Sequence, residues 1–268
     1  MSDHDGMTVL CPAPLLSSRL LDAHPRVVHG FTTRKGGIAR DLPEGLDLAR
    51  RPDRPAGTLR ANWERAARAV ALDLGSDDLA LIDQVHGSDV LEVEAPTGPF
   101  ATAGKADAVF TTRAGILLAV RTADCVPVLL AAPCGVAAVH SGWRGTAQDV
   151  VGAAVAALAA ATGDAPEDFS AAIGPCISAE AYEVGEEVVE GIRASGLPEK
   201  VFLSRRGSRW HVDLSAAVSA QLRRAGVRSV DRLGVCTHGD ARCFSHRRDG
   251  PQTGRQAALI ALLPPFPG

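Results

Sequence analysis

The chain predicts an α+β protein with a mixed sheet, folded as a single domain. Three observations carry that expectation. Between residues 79 and 139 the sequence passes through short, β-branched-rich apolar runs bounded by Gly, Pro or Asp, the pattern of strands. Longer Ala- and Val-rich stretches, which suit helices, are interspersed with them. No internal repeat and no long polar linker divides the 268 residues.

Taken in order, residues 40–57 are rich in Arg, Asp, Pro and Gly and read as an exposed loop. A helix over about 58–72 follows, with Thr58 as its N-cap. Strands are expected at 79–82 and 90–93, separated by the break Asp83-Gln84-Val85-His86-Gly87-Ser88-Asp89. Further strands fall at 108–111, 116–120, 126–131 and 135–139. Thr146 then opens an Ala- and Val-rich helix over 147–161, Asp149 completes a capping box, and Gly163 ends the helix. A strand at 170–173 leads into Gly174-Pro175-Cys176. Helices at about 185–195 and 214–225, and strands at 229–235 and 256–263, complete the chain.

Bulk properties bound the function. A chain that is 46% hydrophobic and 22% charged is globular, and a net charge of -3 gives no global attraction to nucleic acid or an anionic membrane. Residues 1–10 lack a basic region followed by an apolar run, and the longest apolar stretch, 150–161, is broken by Gly152 and too short to span a bilayer. The expected location is the cytoplasm, where thiols stay reduced, and the favoured state is a monomer. Cys11, Cys125, Cys134, Cys176, Cys236 and Cys243 therefore read as free, catalytic or metal-bound thiols rather than disulfides.

Three side chains fall at strand ends, where a rigid scaffold presents functional groups: His86 in the break, Cys125 in Thr122-Ala123-Asp124-Cys125, and His140 before Ser141-Gly142-Trp143-Arg144-Gly145. Two imidazoles and a thiolate suit zinc, with a fourth position open to water or substrate. Spacing alone leaves the alternative open, in which both histidines are turn residues satisfied by backbone and Cys125 is a small buried hydrophobe. The run from Ser141 into the Thr146 helix offers backbone N–H groups and a helix dipole to an anion, with Arg144 as a guanidinium fork. Arg34, in Thr32-Thr33-Arg34-Lys35-Gly36-Gly37, and Arg248, in Ser245-His246-Arg247-Arg248-Asp249-Gly250, are further anion-binding candidates, or else members of surface ion pairs. No GxxxxGK[ST], GxGxxG or GxSxG is present, and eight histidines with no HxH pair make a multicopper centre hard to assemble.

The segments Asp83-Gln84-Val85-His86-Gly87, Thr122-Ala123-Asp124-Cys125-Val126-Pro127 and Ala138-Val139-His140-Ser141-Gly142-Trp143-Arg144-Gly145 resemble the signature blocks of the YfiH family. Its members are also called laccase-domain or polyphenol oxidase proteins and, more recently, purine nucleoside phosphorylases. His29-Gly30-Phe31-Thr32-Thr33-Arg34, Ile173-Gly174-Pro175-Cys176-Ile177 and Phe244-Ser245-His246-Arg247-Arg248-Asp249-Gly250 resemble further blocks, so the resemblance runs from about residue 28 to 260. It implies a four-layer α/β/β/α domain over 27–268 behind an N-terminal extension, 1–26, packed on the domain or partly disordered. It implies zinc, with copper as the alternative, on His86, Cys125 and His140. It also implies phosphorolysis of adenosine, inosine and 5'-methylthioadenosine, with adenosine deamination as a further activity. Segment 45–55 and the pair Arg242-Cys243 depart from the family's pattern and bear on the shape of the substrate site.

Within that frame Asp124 is the candidate proton carrier, and Arg34, Ser141, Arg144 and Arg248 are the candidate phosphate ligands. The competing chemistry on the same residues makes Cys125 a nucleophile with His140 or His86 as base, in a hydrolase or amidase that edits peptidoglycan precursors. A copper-dependent phenol oxidase is the third possibility.

Overall fold

The computed structural model describes residues 13–38 and 45–265. Two large sheets form its centre. The first has five strands in the order β1 (Leu15–Leu16), β2 (Val27–Thr32), β14 (Gln256–Leu262), β6 (Leu117–Thr122) and β3 (Leu79–Leu81). The second has six, in the order β13 (Ser229–Arg232), β9 (Ser170–Ile173), β7 (Val126–Ala132), β8 (Gly135–Ser141), β5 (Ala108–Thr111) and β4 (Val90–Glu92). Both are mixed: β3–β6, β4–β5 and β13–β9 pair parallel, and the other neighbours antiparallel. A small third sheet joins β10 (Glu183–Val184), β12 (Arg209–Val212) and β11 (Leu203–Arg206).

Strand periodicity explains the layers. Along β6, Leu118 and Val120 face the second sheet, while Leu117 and Ala119 face helix α2 (Ala56–Val70). The space between the sheets is filled by Phe31, Ala258 and Ile260 on one side and Leu129, Val136 and Ala138 on the other. Trp63, Ala66 and Ala67 of α2 cover the outer face of the first sheet. Helices α4 (Val150–Thr162) and α6 (Leu214–Arg224) cover the outer face of the second, through Val151, Val155 and Leu158, and Ala217, Val218 and Leu222. The result is the four-layer α/β/β/α arrangement in one domain. Because both faces of the central strands are covered, β7 and β8 are buried throughout and read as continuous apolar runs. Gly174 lies where the layers press closest, since a Cβ there would come within 2.2 Å of the Phe31 ring. Among the described residues no helix is long and apolar enough to cross a membrane.

Several boundaries differ from expectation. The motif segment that contains His29 and Phe31 forms strand β2, which pairs with both β1 and β14. Helix α2 begins at Ala56 with Pro55 as N-cap, so Thr58 lies inside the first turn. Part of the 40–57 loop falls outside the described residues, as do residues 1–12 of the extension. Residues 13–26 are integral to the fold, because β1 extends the first sheet and Leu21, in α1 (Arg19–Asp22), is fully buried. Helix α5 (Glu186–Arg193) and strand β13 are shorter than expected.

The largest correction concerns the helix after His140. It is two helices: α3 (Trp143–Ala147), one turn long with Gly142 as its N-cap, and α4, capped by Asp149. Asp149 sits in the left-handed region at φ 59 and accepts a hydrogen bond from the Gly152 N–H. Thr146 caps nothing; its hydroxyl donates to the Gly142 carbonyl at 3.0 Å. The carboxylate of Asp149 thus already occupies the positive end of the long helix, where an anion was expected. Asp149→Ala removes the cap and retains an unfavourable φ, and should lower unfolding free energy by roughly 1–3 kcal/mol in urea titration. Asp149→Asn should keep most of it.

Candidate metal centre

The second sheet and the turn between the sheets deliver three ligand atoms to one point. His140 is the penultimate residue of β8, Cys125 follows the turn out of β6, and His86 lies in the crossover from β3 to β4. One donor atom from each side chain lies within 4.8 Å of the other two. Cys125 Sγ is 3.8 Å from His86 Nε2, and the imidazoles of His86 and His140 meet edge to face with centroids 4.8 Å apart.

Asp107 fixes this geometry. Its carboxylate is fully buried and accepts the N–H groups of Val85, His86 and Gly87, at 3.1, 3.0 and 2.6 Å. It also accepts from His140 Nδ1 at 2.7 Å. That bond sets the tautomer: Nδ1 carries the proton, and Nε2 is left to bind. His86 is held at φ 61, unusual for a residue with a Cβ, by the same carboxylate. Burial opposes the Asp107 charge, but the hydrogen bonds from His140, Gly87 and His86 outweigh it and hold the carboxyl below its ordinary range.

Close approach dictates the glycines of the His-Ser-Gly-Trp-Arg-Gly block. A Cβ on Gly142 would lie 2.8 Å from His86 Cδ2 and 3.2 Å from Cys125 Sγ. One on Gly145 would lie 3.0 Å from the Gly87 carbonyl oxygen. Helix α3 is therefore pressed against the His86 loop.

Cys125 and His140 act on each other. Burial alone would push the Cys125 thiol up, but His140, with His86 helping, brings it down to about 6. Burial likewise opposes protonation of His140, yet the facing sulfur and Asp107 carry it up to about 9. The pair favours thiolate and imidazolium, a charge separation that a bound cation would replace. Cys176 and Cys243 lie at the other extreme, each pushed up to about 12 by burial.

The three residues lie on the wall of a cavity of about 700 Å³, within the usual range for small-molecule sites. Arg50, Arg51, Arg121, Arg247 and Arg255 line it, together with Tyr182, whose ring lies beneath the Arg247 guanidinium at 5.2 Å. Asp124 is on the same wall at φ 94, its carboxylate accepting from Thr237 Oγ1 at 2.5 Å and the Arg247 N–H at 2.7 Å. Both oxygens are engaged, so the side chain clamps the turn that presents Cys125.

The four expected phosphate ligands lie elsewhere. Arg144 is exposed and stacks on Trp143 at 4.3 Å. Arg34 lies over the Phe244 ring at 4.9 Å. Arg248 donates to the carbonyls of Thr237, His238, Asp240 and Cys243. The buried Ser141 hydroxyl is bonded to Thr146 Oγ1 at 2.8 Å. None of the four lines the cavity. The sequence reading missed Asp107, whose signal was a lone carboxylate directly before an apolar strand, and Arg121, a cation near the end of another.

A family model described as multi-copper polyphenol oxidoreductase laccase matches residues 28–263, and the chain belongs to that family. It is 43% identical to a purine nucleoside phosphorylase of Deinococcus radiodurans, over 88% of this chain and 89% of that one. It is 39% identical to one from Streptomyces coelicolor, over 87% and 94%. Among solved structures it resembles YlmD from Geobacillus stearothermophilus, with a TM-score of 0.82, 32% identity and 90% and 93% of the two chains covered. The Bacillus licheniformis hypothetical protein YfiH gives the same TM-score at 29% identity, covering 88% and 92%.

Two outcomes test the centre. Asp107→Ala should weaken metal affinity by about 10–100-fold, read by competition with a chromogenic chelator. At pH 7, stripping metal should accelerate iodoacetamide labelling of Cys125 while Cys176 and Cys243 stay unlabelled, as read by peptide mass spectrometry.

Proposed function

We propose that this chain is a zinc-dependent purine nucleoside phosphorylase. It takes adenosine, inosine or 5'-methylthioadenosine with phosphate to the free base and a pentose 1-phosphate, and deaminates adenosine in the same site. The observation that carries this reading is the His86–Cys125–His140 set on the wall of an arginine-lined cavity of nucleoside size. The relatives named purine nucleoside phosphorylase support it. One thiolate and two imidazoles, one of them oriented by a carboxylate, form a donor set suited to zinc, and the described residues offer this one cluster. Bound there, zinc would supply a Lewis acid that polarises substrate or water.

The chain's own residues do the rest. Asp107 fixes both histidines. Asp124 holds the Cys125 turn through Thr237 and Arg247. Gly142 leaves room for the converging ligands. Tyr182 offers the cavity an aromatic surface for a purine, and the guanidiniums attract the anionic co-substrate.

A second reading has one specific observation behind it: Cys125, His140 and Asp107 stand in the order nucleophile, base and orienting carboxylate. Metal content separates the two. The phosphorylase reading expects about one zinc per chain, phosphate-dependent base release, and loss of both in Cys125→Ser. Metal-free protein that cleaves amides, with activity surviving chelation, establishes the nucleophile instead; chelation-sensitive oxidation of phenols by copper-loaded protein establishes the oxidase.

A further inference from the structure

The cavity contains one strongly unbalanced spot. Arg121 pairs in register with Ala257, and Arg255 stands two residues before Ala257 on the neighbouring chain segment. Alternation puts both on the same face of the first sheet, continuing the row of Leu117, Ala119 and Ala257. Two guanidiniums thus project side by side into the cavity, with Arg50 near them.

The carboxylates that act on them, Asp83 and Asp47 on Arg121 and Asp47 and Asp124 on Arg255, form no ion pair with either guanidinium among the described residues. The Arg121 guanidinium makes no hydrogen bond and no ion pair among the described residues, although its backbone is fixed by the Gln84 amide through bonds of 2.8 and 2.9 Å. Arg255 NH1 reaches only the carbonyls of Thr253 and Gly254. Arg50 reaches only the Phe100 carbonyl. The nearby buried carboxylate, Asp47, is saturated by Arg51 and Arg54 and by the N–H groups of Ala49 and Arg255. Burial, and then the like charge of Arg255, hold the Arg121 guanidinium below its ordinary value. A half-buried cation with a like charge beside it is costly unless a ligand of opposite charge joins it.

We propose that Arg121 and Arg255, with Arg50 beside them, form the subsite that holds the phosphate co-substrate, in place of the Arg144 and helix-start position. The proposal rests on the phosphorylase reading for the identity of the anion. It gives two groups of residues on one cavity wall separate tasks: His86, Cys125 and His140 for the metal, and Arg121 and Arg255 for the phosphate.

The test uses inorganic phosphate as the probe and Arg121→Met as the variant. The KM for phosphate should rise by about tenfold or more, the loss expected for a charge-assisted hydrogen bond, while the KM for inosine and the zinc content stay within twofold. Arg121→Lys should recover part of the loss. Without phosphate, the thermal midpoint of Arg121→Met should match or exceed wild type, because one of two facing cations has gone; a merely structural arginine would lower it. Addition of phosphate should raise the midpoint of wild type and not of the variant. A phosphate KM that responds to Arg144→Ala and not to Arg121→Met overturns the assignment while leaving phosphorolysis standing. Wild type that prefers a nucleoside 5'-monophosphate to nucleoside plus phosphate also overturns the co-substrate role. Phosphate stabilisation that Arg121→Met abolishes, in a wild type that never phosphorolyses, upholds the anion site and sinks the phosphorylase reading.

Discussion

A buried carboxylate with four donors around it organises this site. Asp107 lies directly before β5, at the edge of the apolar core, where an uncompensated charge would be expensive. It is compensated by three successive N–H groups of the His86 loop and by His140 Nδ1. The loop between β3 and β4 and the end of β8 are therefore held to one another through a single side chain. Their distance is set by hydrogen-bond geometry and not by packing, which tolerates more variation. Removing this carboxylate would release both imidazoles and leave three loop N–H groups without acceptors.

Backbone strain follows the same logic. Among the described residues, the non-glycine positions with positive φ are His86, Asp124 and Asp149, and the first two are at the site. Each is held by bonds that a relaxed loop would forfeit: His86 by Asp107, and Asp124 by Thr237, the Arg247 N–H and the bond from the Ile177 N–H to its carbonyl. Such conformations persist when their surroundings over-determine them. Here they turn the His86 and Cys125 side chains toward a common point from two separate connections between the sheets, β3 to β4 and β6 to β7.

The same features decide what the sequence could disclose. Central strands with both faces covered appear as uninterrupted apolar runs, so β5 to β9 could be placed from residue type alone. The metal ligands were legible because they lie at strand ends inside distinctive blocks. The break between α3 and α4 was not legible, since Thr146 and Asp149 satisfy the pattern of a capping box whether or not a turn intervenes. The left-handed φ of Asp149 is a tertiary outcome, secured in part by Arg224 at 2.8 Å. Asp107 and Arg121 were missed for a related reason. A charged residue at a strand end reads as solvent-facing until the partners from distant segments are known.

Charge placement in the cavity depends on where carboxylates are engaged, not on how many arginines are present. Arg34, Arg144 and Arg248 look as suitable for phosphate in sequence as Arg121 and Arg255. Arg144 and Arg34 lie over aromatic rings, and Arg248 is held by four carbonyls, so each already has an environment of its own. Asp47 removes Arg51 and Arg54 from contention in the same way. Arg247 donates to the carbonyls of Ala181 and Glu183, and Arg50 to that of Phe100. By contrast, Arg121 and Arg255 have their backbone anchored by Gln84 and Asp47 and their side chains on the cavity wall, with no ion pair among the described residues. An arginine with its partners supplied is part of the scaffold. One with a fixed backbone and no ion pair of its own is organised for a ligand.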